Sequence, residues 1–388
     1  MPVIPSGRRI HYQEGTFGAG GESVTSVRRV AVVALGVLVV SGCGGDSTTE
    51  VRRAANRLGT SGTSLTLDGS QWWPVGVNAY QLGTNWRVNA GCGAQVDLDA
   101  YFGALPPNAL TRINAYSSFV VDRSTGELDF EPLDALFEAA ERHHQLLNAV
   151  LASSEGACED GGFKDNAWFA GGWRYASLPE EPMSFAAWVD TAVTRWGDSP
   201  AVAAWTPVGE PEASNCGSLD CDWRGRECPP GAAIVVRRFV DDVGARIRGL
   251  DPDAVLFEGR AGGGQCGSAG DDYAYVGASP GVDVLEYHDY EVGHELPGDP
   301  FNGLGRRLAQ ARALNKPLVV AELGVNAGSC MPLGERAELV SETVGELRGA
   351  GAAGVLFWAF VPAPRLTECT YDIGPDDPLM AMVGHARP

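Results

Sequence analysis

Pro317-Leu318-Val319-Val320-Ala321-Glu322-Leu323-Gly324 is an apolar run of strand length that ends in a carboxylate and then breaks near glycine. An ionised side chain at the end of a buried strand is costly unless it has a task or a partner. A second stretch repeats the design, Ala204-Trp205-Thr206-Pro207-Val208-Gly209-Glu210-Pro211. Glu210 and Glu322 read either as two unrelated surface ion pairs or as a pair that meets in space. Paired carboxylates across a bond are the machinery of glycoside hydrolysis, one held as acid and the other ionised as nucleophile. The residues around them favour the pair.

Outward from these two stretches, strand-like and helix-like runs alternate. Strand candidates are 73–78, 109–114, 146–151, 202–208, 254–258, 282–288, 317–322 and 354–360. Helical spacing of apolar residues marks 129–142, 184–196, 234–250, 304–314 and 333–347. Asp129 and Ser184 are candidate N-caps. About eight strands alternating with helices predict an α/β fold, a single (β/α)8 TIM barrel. A doubly wound sheet is the competitor, and it lacks a glycine-rich phosphate loop after the first strand. Gly262-Gly263-Gly264 follows a later strand without a Walker lysine and reads as a loop. Ser64-Leu65-Thr66-Leu67-Asp68-Gly69 carries a hairpin signal ahead of the barrel.

The 388 residues carry 49 acidic and 29 basic side chains, a net charge of −20. That balance argues against a nucleic-acid binder, which needs clustered Lys and Arg. Arg28 and Arg29 precede an apolar stretch, 30–40, that is too short to span a bilayer. It has the proportions of a signal peptide, and Val40-Ser41-Gly42-Cys43 resembles the lipobox of bacterial lipoproteins. The expectation is a signal over 1–42, a lipid anchor at Cys43 with a flexible tether to residue 62, and a catalytic domain over 63–388. Residues 1–23 fall outside the signal pattern and read as an over-extended start. A plain secretory signal with an incidental cysteine is the alternative. Setting Cys43 aside leaves Cys92, Cys158, Cys216, Cys221, Cys228, Cys266, Cys330 and Cys369. An even set in an exported chain predicts disulfides, of undetermined pairing. The spacing of Cys216, Cys221 and Cys228 does not match a zinc site.

A barrel presents its active groups at the C-terminal ends of its strands. Those ends read Asn78 and Tyr80, Arg112 and Asn114, Ser153 and Ser154, Glu210, His288 and Tyr290, Glu322, and Trp358. Aromatic faces cover the C–H face of a pyranose, and amides and charges bind its hydroxyls. In order and placement this set resembles glycoside hydrolase family 5, over most of residues 64–360. Trp205 to Pro211 resembles that family's acid/base motif and Lys316 to Gly324 its nucleophile motif. Tyr287-His288-Asp289-Tyr290, Thr111-Arg112 and Phe357-Trp358 resemble its sixth-, second- and eighth-strand motifs. The resemblance implies a retaining β-glycosidase with Glu322 as nucleophile and Glu210 as acid/base. It implies that Arg112 and Tyr290 hold Glu322, that His288 contacts substrate or Glu210, and that Trp358 floors the sugar site. Glu210 is then expected to begin with a raised pKa. The run 155–173 resembles a loop of mannanase-like members, which puts β-mannan before β-glucan as substrate and suggests an endo-β-mannanase.

Two departures stand out. Gly209 occupies the position where the family has Asn, and the third strand ends at Ala152-Ser153-Ser154 without the family's His. They keep alive a rival reading, a non-catalytic carbohydrate-binding lipoprotein on a glycosidase scaffold. The expected partners are a carbohydrate and, through the lipid, a membrane. No metal or organic cofactor is expected, and the chain is expected to act as a monomer.

Overall fold

Short apolar runs separated by amphipathic helices build a ring of parallel strands in this computed structural model. It describes residues 58–84, 96–122, 124–159, 161–175, 182–216, 221, 225–290, 296 and 298–385. The signal, Cys43, Cys92 and the tether up to residue 57 lie outside the described residues.

The described chain opens with a meander of β1 (Leu58–Ser61), β2 (Ser64–Leu67) and β3 (Ser70–Trp72), antiparallel in that order. Asp68 and Gly69 turn β2 into β3 with φ of 51° and 77°, the pair of positive angles that a two-residue type I′ hairpin demands. Leu58–Ser61 lies in the stretch expected to be a flexible tether. That expectation is corrected there: β1 pairs with β2 along its whole length, Leu58 against Leu67, so folded structure begins before residue 63.

The barrel strands are β4 (Pro74–Ala79), β5 (Leu110–Asn114), β6 (Leu146–Val150) and β7 (Val202–Thr206). A small excursion follows, in which β8 (Asn215–Cys216) pairs with β9 (Arg226–Glu227). The ring resumes with β10 (Leu285–Asp289), β11 (Leu318–Leu323) and β12 (Gly354–Phe357). The seven barrel strands run parallel in the order β10-β11-β12-β4-β5-β6-β7. The expected strand at 254–258 is irregular, yet it bridges Trp205 on one side and Val284 on the other. Phe257 N donates to Trp205 O at 3.0 Å and Glu258 N to Val284 O at 3.1 Å. This segment joins β7 to β10 and makes the eighth position of a (β/α)8 barrel. A terminal β13 (Gly384–His385) pairs antiparallel with β4.

The helices are α1 (Leu98–Gly103), α2 (Glu131–Arg142), α3 (Asn166–Ala170), α4 (Phe185–Trp196), α5 (Ala232–Leu250), α6 (Asp272–Gly277), α7 (Leu304–Leu314) and α8 (Leu333–Ala350). Ser184 caps α4 as expected, accepting from Ala187 N. Asp129 does not occupy the N-cap of α2. Phe130 does, and Asp129 Oδ1 accepts from Glu131 N one residue further out. Among the described residues no helix is long and apolar enough to cross a membrane.

The strands separate two cores. Val77, Ile113, Leu147, Val320 and Val355 face outward onto helix residues such as Leu136, Trp188, Phe239 and Leu347. Leu110, Leu146, Ala204, Phe257, Val319 and Leu356 face inward, and Leu58, Leu65 and Trp72 of the meander join them. Several of these inward residues sit at the N-terminal ends of their strands. The meander therefore stoppers the bottom of the barrel, and the C-terminal mouth carries the polar groups. Leu65 is 0% exposed in that plug. Leu65→Ala is expected to cost about 2–5 kcal/mol, read as a lower denaturant midpoint at unchanged slope. A shift under about 1 kcal/mol would refute the plug.

The described cysteines are disulfide-bonded, as expected. Cys216 pairs with Cys221, Cys228 with Cys266 and Cys330 with Cys369, and Cys158 is also bonded.

Candidate active site

A register irregularity aims Glu322. Along β11, Val319 and Ala321 belong to the inner core while Val320 and Leu323 belong to the outer one. The parity changes between 321 and 323, where the pairing of β11 with β12 also shifts. One extra residue turns Glu322 into the barrel mouth, where plain alternation would send it out with Val320. There Arg112 Nη1 donates to Glu322 Oε1 at 2.7 Å, and the Tyr290 hydroxyl donates to Oε2 at 2.5 Å. Arg112 and Glu322 are both buried. Carboxylates nearby raise the Arg112 pKa against the opposing pull of burial, Glu322 foremost. Burial, then the Glu322 charge, pushes the Tyr290 phenol far up, so it stays a donor.

Asn78, expected at the site to bind substrate or support it, makes supporting bonds. At 1% exposure it stands outside the cavity lining. Its Oδ1 accepts from Arg112 Nη1 at 3.1 Å, and its Nδ2 donates to Ala321 O at 2.8 Å. It thus ties Arg112 to the strand that carries Glu322.

Glu210 sits just past β7 with φ of 55°, a left-handed conformation uncommon outside glycine. Two backbone bonds hold it, Glu210 N to Gly259 O and Gly209 N to Ala152 O, both 2.8 Å. Its side chain is 42% exposed and reaches His288 Nδ1 at 2.7 Å. The same Nδ1 lies 3.4 Å from Glu322 Oε2. One oxygen of each glutamate and a His288 nitrogen all lie within 4.8 Å of one another. Retaining glycosidases hold their carboxyls about 5–5.5 Å apart, and inverting ones about 6.5–9.5 Å, to admit a water.

The proton distribution differs from expectation. Burial pushes Glu210 up, but the hydrogen bond and charge of His288, helped by Arg112, hold it below its ordinary value. His288 is the raised member: burial pulls it down, yet Glu322, Glu210 and Glu286 outweigh that and push it up to about 10. Sequence position says nothing of the imidazolium beside Glu210. The two groups titrate as a pair, and its proton resides on the imidazole side.

A cavity of about 420 Å³ opens above the pair, lined by Tyr80, Arg112, Asn114, Tyr290, Trp358 and both glutamates. Tyr80 and Trp358 stack at 5.2 Å between centroids with planes 7° apart, a broad aromatic wall. The Trp358–Ala359 peptide is cis. Of the strand-end residues read from sequence, Asn78, Ser154 and His288 stand outside the cavity lining, where Ser154 Oγ accepts from Glu212 N at 3.3 Å and His288 reaches the glutamates. Tyr116 and Glu155 also line the cavity and were not anticipated. Nor was Glu286, although a glutamate two residues before His288, on the same strand face, was a readable signal.

Glu210, His288 and Glu322 have the donor types of a divalent-cation site. The surrounding charge opposes that use, because the Arg112 guanidinium and the His288 imidazolium already stand among the carboxylates.

No family model matches the chain. It is 27% identical over 264 residues to the probable mannan endo-1,4-beta-mannosidase C of Aspergillus terreus, covering 60% of this chain and 63% of that one. The chain thus spans less than two thirds of that relative's length. It superposes on the endo-1,4-beta-mannanase of Rhizomucor miehei with TM-score 0.61 and 16% identity, over 85% of this chain and 98% of that one. A glycoside hydrolase family 5 mannosidase of the same organism gives 0.57 and 15%, over 85% and 96%. The fold is a (β/α)8 barrel. Such low identities carry the fold alone.

Proposed function

We propose that the chain is a retaining β-glycoside hydrolase of the family 5 type that cleaves β-1,4-mannan internally, with β-glucan second. The observation that carries this reading is the approach of Glu210 and Glu322 within 4.8 Å while Arg112 and Tyr290 grip Glu322 alone. A carboxylate gripped by two donors is fixed in orientation, as a nucleophile must be. Glu322 attacks the anomeric carbon and forms a glycosyl-enzyme while Glu210 passes a proton to the leaving oxygen. Glu210 then takes a proton from the water that displaces Glu322. His288 positions Glu210, and the stacked pair of Tyr80 and Trp358 flanks the sugar. Asn114 is available for its hydroxyls. The named relatives support mannan over other β-glycans.

Gly209 leaves room in the site. A Cβ there would stand 3.4 Å from Arg112 Nη2 and from Val150 Cγ1, ordinary contact. The glycine is therefore not forced by sterics.

Export with a lipid on Cys43, and action as a monomer, are proposed alongside. The lipobox resemblance and the disulfides support the export. The rival of a non-catalytic binder is tested together with the mechanism. Purified protein is incubated with β-mannan, β-glucan and aryl β-mannosides, and the first-formed anomer is followed by proton NMR. Release of the β-anomer is expected. Binding without turnover would favour the rival, and the α-anomer would overturn double displacement.

A further inference from the structure

Behind His288, on the side away from the cavity, lies a third carboxylate that the double-displacement scheme does not use. Glu286 sits on β10 two residues before His288, so both side chains point into the barrel. Its side chain is 0% exposed. Oε2 stands 3.4 Å from His288 Nε2, and Oε1 stands 3.4 Å from the Thr206 hydroxyl on β7. The Glu286 backbone is fixed as well, its N donating to Glu258 Oε1 at 3.1 Å and its O accepting from Tyr273 at 2.7 Å. Such a carboxylate in a barrel core has a high desolvation cost, and a cationic ring is what offsets it.

The ring of His288 faces carboxylates at both nitrogens, Glu210 and Glu322 at Nδ1 and Glu286 at Nε2. A neutral imidazole has one donor, so one nitrogen would turn a lone pair towards a carboxylate oxygen. The doubly protonated ring satisfies both ends. We propose that Glu286 is a positioning residue that fixes His288 as a two-donor imidazolium and thereby governs how Glu210 holds and releases its proton. This rests on the reading of Glu210 as the acid/base.

The groups bearing on this cluster come from four sides. Glu210 follows β7, Glu322 and Tyr290 stand on and beside β11 and β10, and Arg112 projects from β5. Glu258 and its buried partner Arg260 lie behind, 2.5 Å apart. The carboxylates Glu210, Glu322 and Glu286 sum to −3 against +2 from His288 and Arg112. One further proton neutralises the set, and the solvent-facing Glu210 is where it can sit. Removing the Glu286 charge lowers the cluster's affinity for every proton it binds, whichever atom carries it.

The test is Glu286→Gln. The basic limb of kcat/KM on mannan is expected to move down by about one pH unit, with kcat about tenfold lower and KM within about twofold. Nitrogen-15 spectra of the ring are the second readout, with the His288 signal assigned by its loss in His288→Gln. Wild-type His288 is expected to show both nitrogens protonated at pH 8 and to titrate near 10; in Glu286→Gln its midpoint falls by about one pH unit or more. An unchanged limb and an unchanged ring midpoint in a folded variant would overturn the proposal. So would a neutral His288 in wild type at pH 8, a measurement that holds even if the variant does not fold. If no β-glycan is turned over, the acid/base reading falls, while the ring spectra still decide what Glu286 does.

Discussion

Glu322→Gln is expected to lower kcat on β-mannan by at least about 10³-fold, some 4 kcal/mol of barrier, while the chain stays folded. The amide nitrogen cannot attack an anomeric carbon, so no glycosyl-enzyme forms. Folding survives because the amide keeps the shape of the carboxyl and its carbonyl oxygen can accept from Arg112. Arg112 also retains Asn78 Oδ1 at 3.1 Å and the field of Glu286. The usual loss of about 3–5 kcal/mol on breaking a buried pair therefore shrinks to about 2 kcal/mol or less. Denaturant midpoints read the stability, and reducing-sugar release reads the rate. Turnover near wild type would remove Glu322 from the mechanism. A variant that unfolds would show that the pair with Arg112 does more structural work than this geometry implies.

The barrel was legible because its strands are short apolar runs that need no context to be recognised. Val202–Thr206 and Leu318–Leu323 are each five or six residues of nearly unbroken hydrophobicity, as strands covered on both faces must be. The segment at 254–258 was legible as a position but not as an irregular bridge, since Ala254-Val255-Leu256-Phe257 has the composition of any strand. Leu58–Ser61 was hidden for the opposite reason. Leu-Gly-Thr-Ser is tether-like in composition, and only its pairing with β2 and the inward burial of Leu58 make it a strand.

The site divides in the same way. Which residues stand at strand ends is a matter of register, and Glu210, Glu322, Arg112, Tyr290 and Trp358 could be placed from it. Which of them touch is not. The bulge that turns Glu322 inward depends on one extra residue in β11. Asn78 could be placed at a strand end, but the bond to Ala321 O that makes it a brace spans 243 residues of chain. The inverted proton distribution between Glu210 and His288 follows from a 2.7 Å contact, and pKa values are set by such distances and not by spacing.

Glu210→Ala should separate two classes of substrate, and that difference tests the acid/base assignment more sharply than any single rate. Mannan has an alkoxide leaving group that departs only with a proton, so its kcat/KM is expected to fall about 10²–10³-fold. A dinitrophenyl β-mannoside leaves without protonation, so its attack by Glu322 should proceed at close to the wild-type rate. The second step then stalls, because no base activates the water. The glycosyl-enzyme accumulates, a burst of phenolate appears, and the steady-state KM drops. Azide needs no base: its nitrogen bonds to the anomeric carbon as the bond to Glu322 Oε breaks, giving a β-mannosyl azide and the free carboxylate. Added azide should restore turnover of the dinitrophenyl substrate and leave mannan unaffected. The variant should fold, since alanine at φ of 55° bears a strain like that of Glu210 and a side chain 42% exposed contributes little packing. Equal losses on both substrates, with no burst and no azide rescue, would place the proton donor elsewhere. The same cavity would then require a different acid, and Glu155, which pairs with Arg226, is the other carboxylate among its described lining residues.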